Sequence, residues 1–260
     1  MDSGHTTSPS QGSPRYTSET IQVLERRSSI RSFRNESVDD DLLSAILRAA
    51  CRAPTSSNIQ AYSIIVVRDE STRARLAEIA GGQSHVAATP VFLAVCADLA
   101  RAERACKLRG KALEGDSLEM GLVAAVDASL VGMSIMLAAE SLGLGCVMIG
   151  GLRNQPVDVA RVLGLPLRVF AVFGMCIGWP AERPPQKPRM PETAVIHFER
   201  YGVERTDGVL AAYDETLTHH YHGQGRGTAE PWTARVSVEF SKPRRANLRA
   251  HLRTLGFPLE

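Results

Sequence analysis

Four polar clusters, far apart in a chain of 260 residues, carry side chains suited to one elongated polar ligand. The first lies in RRSSIRSF and offers Arg27, Ser28, Ser29 and Arg31. A guanidinium presents a fork of donors matched to phosphate oxygens, and hydroxyls add neutral donors beside it. The second, PTSSNIQ, holds Thr55, Ser56, Ser57, Asn58 and Gln60, whose amides and hydroxyls can read the edge of a heterocycle or a sugar. Third, Gly150 and Gly151 follow an apolar run, where bare backbone amides can approach a ring or a phosphate closely. The fourth is Lys187 and Arg189 in QKPRMP, where flanking prolines reduce the freedom lost when both cations are held. Each cluster also has a plainer reading: a solvated arginine face, a solvent-facing loop, a tight turn, or a basic proline-rich loop.

Other chemistries find less support. No G-x-x-x-x-G-K-S/T loop is present, and the glycines of LGLGCVMIGG precede their strand instead of following it, which argues against a dinucleotide fingerprint. There is no G-x-S-x-G elbow, H-x-x-x-H or H-E-x-x-H. His219, His220 and His222 are close in sequence, but adjacent helix positions diverge around the axis, so no metal site is expected. Five widely spaced cysteines without C-x-x-C fit small buried hydrophobes better than disulfides or a zinc site. With a formal charge of only +2, no broad nucleic-acid footprint is expected. The leucine spacing in the basic tail SKPRRANLRAHLR suits docking instead. Residues 1–16 read as a flexible polar arm with no apolar signal core, and the most apolar stretch, 121–151, is interrupted by Asp127 and Glu140. Neither a membrane partner nor export is expected, and a cytoplasmic location is.

The elements that must position the clusters alternate between helix and strand. The pattern predicts a short helix over 18–27, and a second after a Ser37-x-x-Asp40 capping box, stopped by Pro54. A strand is expected at 62–67, a helix over 69–80 ending at Gly81–Gly82, and a strand covered on both faces at 91–97. Residues 99–117 are charged without a clear period and are expected to be irregular or partly helical. A long helix over 118–142, buried on more than one side, leads into a strand and the glycine pair. Pro156 and Asp158 open a short helix ended by Gly164, and 168–180 is the next strand. The tail is expected to hold a helix near 207–222, a GQGRG loop, and a last helix from about Pro243 docking through Leu248, Leu252 and Leu255. One α+β domain over 17–260, with a helical C-terminal extension, is the economical organisation.

Taken together, several segments in one order carry a likeness: SIRSF (29–33), APTSSNIQ (53–60), GGQSHVA (81–87), AAESLGLGCVMIGGLRN (138–154), FGMCIGWPAERPPQKPRMP (173–191) and AAYDETLTHHY (211–221). The chain resembles the flavin-dependent nitroreductase family. Within it, the likeness is to the NADPH-preferring nitroreductase and flavin reductase branch that includes oxygen-insensitive enzymes of enteric bacteria. The resemblance implies an α/β sandwich with a mostly antiparallel central sheet flanked by helices, and an intertwined homodimer with FMN at the subunit interface.

Position by position, it implies that Arg27, Ser28, Ser29, Arg31, Lys187 and Arg189 hold the phosphate and ribityl end of a tightly but non-covalently bound FMN. Thr55, Asn58 and Gln60 would line the ring side from the partner subunit. Gln83 would meet the ribityl chain or the ring's polar edge, and Met148, Ile149, Gly150 and Gly151 would pass along the isoalloxazine. Arg226 in GQGRG would answer the 2′-phosphate of NADPH. The implied chemistry is ping-pong hydride transfer from NADPH to nitroaromatics, quinones or free flavin, with no side chain as obligatory acid or base. Three departures stand out. Ser28 replaces one of a basic pair, Asn58 stands where near relatives carry an aromatic, and Met148 replaces a tyrosine. A tailoring or dehalogenating reductase for a dedicated metabolite, or a non-catalytic flavin-binding regulatory or storage protein, are the alternatives.

Overall fold

Four apolar runs become the strands of one antiparallel sheet. They are β1 (Tyr62–Val67), β2 (Val91–Asp98), β3 (Gly145–Ile149) and β4 (Val169–Gly178), in the order β1-β2-β4-β3. The computed structural model describes residues 16–114, 118–202, 206–225 and 230–257. The expected arm over residues 1–16 therefore lies almost wholly outside the described residues. β2 is buried along its full length, as its unbroken apolar run predicts, because helices cover both faces of the sheet.

One face packs on α2 (Asp40–Ala50) and α6 (Leu118–Ser141), with α1 (Glu19–Arg26) alongside α6. The other face packs on α3 (Glu70–Ile79), α4 (Ser84–Ala88) and α7 (Pro156–Leu163). Alternation along β2 divides the core. Leu93 and Val95 face α6, while Phe92, Ala94 and Cys96 face the second layer. This is the expected α+β layering of helices around an antiparallel sheet. The remaining helices are α5 (Ala100–Leu108), α8 (Glu192–Val195), α9 (Thr206–His222), α10 (Trp232–Phe240) and α11 (Leu248–Thr254).

Several expected boundaries shift for physical reasons. The cap of α2 is Asp39, whose carboxylate accepts from the amides of Asp41 and Leu42, so the Ser37 capping box does not form. Asp69 caps α3 in the same way, and hydrogen bonds from Thr72 and Ser71 hold its carboxyl at about 2. The stretch from 99, expected to be irregular or partly helical, is partly helical: α5 ends at Leu108, and having no fully buried residue it offers no clear apolar period to read. The last helix begins at Leu248, not near Pro243, and docks Leu252 and Leu255 against Phe170 and Phe257.

Helix α6 is the one described helix long and apolar enough to cross a membrane, with a mean hydropathy of 2.0. Here it spans the core instead, burying Ala124, Ala128, Val131, Ile135 and Ala139 together with Asp127 and Glu140. Its far side leaves Leu118, Leu122, Val126 and Leu130 exposed in one row at four-residue spacing.

Glycines let the layers interlock at β4. A Cβ on Gly174 would lie 2.1 Å from the tip of the buried Phe92 ring, and one on Gly132 of α6 would lie 2.4 Å from Phe173. Overpacking such a site forces rings off their rotamers. Gly174→Val is expected to lower the unfolding free energy by about 1–3 kcal/mol or more, seen as a lower urea midpoint at constant slope. An unchanged midpoint would mean that the Phe92 ring can turn aside.

Candidate functional site

The first cluster is positioned by one buried side chain. Ile30 fills the space a side chain on Gly145 would need, its Cγ1 standing 2.5 Å from where that Cβ would be. Its amide donates to the Cys146 carbonyl at 3.0 Å, which sets Ser29 and Ile30 beside β3. Farther on, Arg34 N donates to the Trp179 carbonyl and Ala181 N to the Ser32 carbonyl. Burying Ile30 turns its neighbours Ser29 and Arg31 the other way.

The fourth cluster is brought to the same place by the segment after β4. Gln186 Nε2 donates to the main-chain carbonyls of Glu25 and Arg27. Tyr213 of α9 donates its hydroxyl to the Pro188 carbonyl at 3.0 Å, and Tyr213, Leu217 and Tyr221 form a buried backing with Met190 and Trp232. Lys187 Nζ lies 5.7 Å above the Tyr221 ring, a cation–π distance.

Arg27, Ser28, Ser29, Arg31, Lys187 and Arg189 thereby line one cleft of about 660 Å³. Among the described residues no carboxylate pairs with Arg31, Lys187 or Arg189. A concave surface with cations left unneutralised is built for an anion. His220 and Gln224 complete the wall, 2.7 Å apart. Of the tail histidines only His220 lines the cleft, while His219 and His222 face a separate hollow, and no group of three potential metal ligands gathers among the described residues.

Two carboxylates stand near these cations: Glu25 lines the cleft, and Glu140 lies behind Arg27. Glu140 of α6 is 7% exposed and sits 3.9 Å from Arg27 Nε. Neither Arg27 Nε nor Glu140 Oε1 has a hydrogen-bond partner, although both are buried. Burial pushes the Glu140 carboxyl above its ordinary range, and Arg27, Arg183 and Arg26 pull against that only in part.

The glycine pair lies on a 3-10 turn, Gly150–Asn154, that continues β3. A Cβ on Gly151 would come within 2.5 Å of the Ala80 carbonyl and 2.8 Å of Gln83 Nε2. Its missing side chain thus lets the Ala80–Gln83 turn pack close, and Gln83 itself donates to the Ala80 carbonyl at 2.8 Å. The Ile149 side chain points into the core, so only its main chain can serve a ligand, whereas Met148 is 38% exposed. Sequence reasoning missed two arginines here. Arg153 caps the carbonyl of Val172, the residue that bulges out of the β2–β4 register, and its guanidinium lies beside Gly150. Arg245 donates to the Gly150 carbonyl and to Asn154 Oδ1. The signal was faint, because both look like ordinary surface arginines. His85 was missed too: its Nε2 is buried without a partner, and burial, then Arg31, lowers its basicity.

Thr55, Asn58 and Gln60 lie elsewhere in the single chain, on a loop beside the exposed row of α6. Ser57, Asn58 and Gln60 all take left-handed backbone conformations, with φ of 47°, 59° and 55°. The loop thus does not join the cationic cleft within one chain. Arg226 lies outside the described residues. Of the five cysteines, burial pushes the thiols of Cys96 and Cys176 up to about 12 and raises that of Cys146, so these three are inert packing groups.

A pH signature follows from Glu140. Its folded pKa exceeds its unfolded one, so ionisation opposes folding once the pH rises above the unfolded value of about 4.3. Without bound ligand, the stability of the native chain relative to Glu140→Gln is expected to rise as pH falls from neutral through the folded pKa toward that value. Parallel stability curves for the two proteins would show that the carboxylate is not strained by burial.

Comparison with known proteins identifies the family. The Nitroreductase family pattern matches residues 24–179, and that of the Nitroreductase family, C-terminal domain, matches residues 187–260. The chain is 37% identical over 241 residues to the oxygen-insensitive NADPH nitroreductase of Salmonella typhimurium, covering 92% of this chain and 98% of that one. It is 36% identical over 246 residues to the FMN reductase [NAD(P)H] of Bacillus subtilis, covering 93% and 99%. The solved structure of B. megaterium NfrA2 superposes with a TM-score of 0.91 at 36% identity, covering 94% of this chain and all of the other. The chain belongs to the nitroreductase family and is an NAD(P)H-dependent oxidoreductase of that family.

Proposed function

We propose that this chain is an FMN-dependent reductase that draws hydride from NADPH by a ping-pong cycle and reduces nitroaromatics, quinones or free flavin. The observation that carries the reading is the cleft of unneutralised cations. Its residues fit a flavin mononucleotide. Arg31, Lys187 and Arg189 offer charge to a phosphate, Ser28 and Ser29 add hydroxyl donors, and Arg27 has a buried Nε without a partner. FMN, when bound, supplies the two-electron chemistry of the family. The chain's own groups bind and orient. Gln83 and the main chain at Ile149–Gly151 are not among the residues lining the cleft; on this reading they would meet the ribityl chain and the ring, with Arg153 and Arg245 keeping positive charge beside the glycine turn.

The same reading makes the protein a homodimer. Thr55, Asn58 and Gln60 do not reach the cleft of their own chain, and Ser56 of the same loop sits next to the exposed Leu122, Val126 and Leu130. A second copy seated on that apolar row would exclude water from it and bring the loop toward the partner's cleft. Residues 17–260 would act as one reductase domain with a helical extension, in the cytoplasm, where NADPH is the donor and free thiols persist.

Two measurements test this. Lys187→Ala and Arg189→Ala are each expected to weaken FMN binding about ten- to a hundredfold, read by equilibrium dialysis with flavin fluorescence, as for losing a charge-assisted hydrogen bond. Anaerobic stopped-flow absorbance of the FMN-loaded protein should show fast bleaching of the visible flavin band with NADPH and slower bleaching with NADH. Equal rates would remove the donor preference. No bleaching with either would sink the reductase. Fast bleaching with poor turnover of generic quinones and nitroaromatics would favour a dedicated acceptor.

A further inference from the structure

The loop Thr55–Gln60 has no hydrophobic anchor of its own: none of its residues is buried except in part, and three occupy the left-handed region. Left-handed backbone at Ser57 and Gln60 is unfavourable without outside support. That support comes from a residue that fits poorly where it sits. Asp127 is 1% exposed in the most apolar helix of the protein, with no cation paired to it among the described residues. A carboxylate so placed costs stability unless its oxygens are hydrogen-bonded. Both are. Oδ1 accepts from the Ser56 amide at 3.0 Å and Oδ2 from the Ala61 amide at 3.0 Å. One side chain thus closes both ends of the loop.

A second clamp grips the C-terminal end from the other side. Arg101 of α5 donates through Nη1 to the carbonyls of Gln60 at 2.8 Å and Tyr62 at 3.2 Å. Through Nη2 it reaches Ser63 Oγ and the Asp98 carboxylate, which also accepts the Ser63 hydroxyl at 2.5 Å. The loop is therefore shaped by polar clamps from α6 and α5 rather than by packing.

We propose that Asp127, seconded by Arg101, is a positioning residue for the flavin-ring side of the active site: it holds Thr55, Asn58 and Gln60 in the shape that receives nicotinamide and acceptor. This rests on the reductase reading and on the loop's place against a partner's cleft. Asparagine at 127 keeps one accepting oxygen and turns an NH2 donor toward a backbone N–H, so one clamp becomes a donor–donor clash while the buried charge disappears.

The test uses the FMN-loaded dimeric enzyme. Asp127→Asn is expected to raise KM for NADPH and for a quinone acceptor about tenfold, the scale of one hydrogen bond to a charged group. FMN affinity should stay within about twofold, and the visible flavin band should shift as its polar surroundings move. Arg101→Gln, at an exposed position, should raise KM in the same direction and serves if Asp127→Asn does not fold. Asn58→Ala and Gln60→Ala calibrate the loop itself. Should they raise KM while Asp127→Asn and Arg101→Gln change only the melting temperature, the clamps are merely structural and the proposal is overturned. Should the loop variants also leave KM unchanged, the loop is not part of the active site and the proposal falls with that reading. FMN reduction by NADPH would still stand or fall separately.

Discussion

Cations gathered without counter-ions repel one another, and much of this fold is arranged to hold them together regardless. Arg31 and Arg189 come from segments 158 positions apart in the chain, and solvent screening softens their repulsion without removing it. The anchors are therefore neutral. Ile30 in the notch at Gly145, the Gln186 amide on the carbonyls of Glu25 and Arg27, and the Tyr213 hydroxyl on Pro188 fix the backbone on either side of the charges. None of these depends on pH. Of the carboxylates nearby, Glu25 lines the cleft without pairing to Arg31, Lys187 or Arg189 among the described residues, and burial pushes the Glu140 carboxyl above its ordinary range. A cleft strained in this way is relieved by an anion, and ligand binding is expected to add stability by mass action.

Helix α6 ties that cleft to the rest of the site. Glu140 stands at its cleft end and Asp127 under the Thr55–Gln60 loop. Thirteen residues of helix separate the two, about 20 Å at the usual rise per residue. A flavin gripped by its phosphate in one place thus cannot draw on the same chain's loop unless it spans most of that length. The exposed row Leu118, Leu122, Val126 and Leu130 lies on the same helix, between the layers and solvent. On the proposed dimeric reading, α6 would be the element common to core, interface and polar contacts.

What the sequence made legible depended on whether a signal was local. The strands showed because runs such as VFLAVCAD must be covered on both faces, and the cleft showed because Arg, Ser and Lys side chains advertise phosphate chemistry wherever they cluster. Helix α5 was legible only as a partly helical stretch and α10 not at all, since neither buries a residue fully and both carry mixed polar sequence. Arg153 and Arg245 were hidden for another reason: their neighbours, a bulge carbonyl and the Gly150 carbonyl, come from distant chain segments. Asp127 was visible only as an interruption in an apolar stretch. Its partners are backbone amides, which leave no trace in side-chain composition. Gly151 matched a ligand-approach pattern, yet its freedom from a side chain is used by the Ala80–Gln83 turn.

The serine at position 28 is understandable in the same electrostatic terms. With Arg27 partly answered by Glu140, the cleft still presents Arg31, Lys187 and Arg189 without carboxylate partners. Three free positive charges already exceed the roughly two negative charges of a phosphate monoester at neutral pH. A further cation at 28 would deepen repulsion in the ligand-free protein and add little to the bound one. A hydroxyl keeps a donor in place without charge. By that argument a phosphate needs no further cation at position 28, and on the proposed reading differences in what the protein reduces would belong to the other end of the ligand, on the side given to the exposed Met148 and the left-handed Asn58.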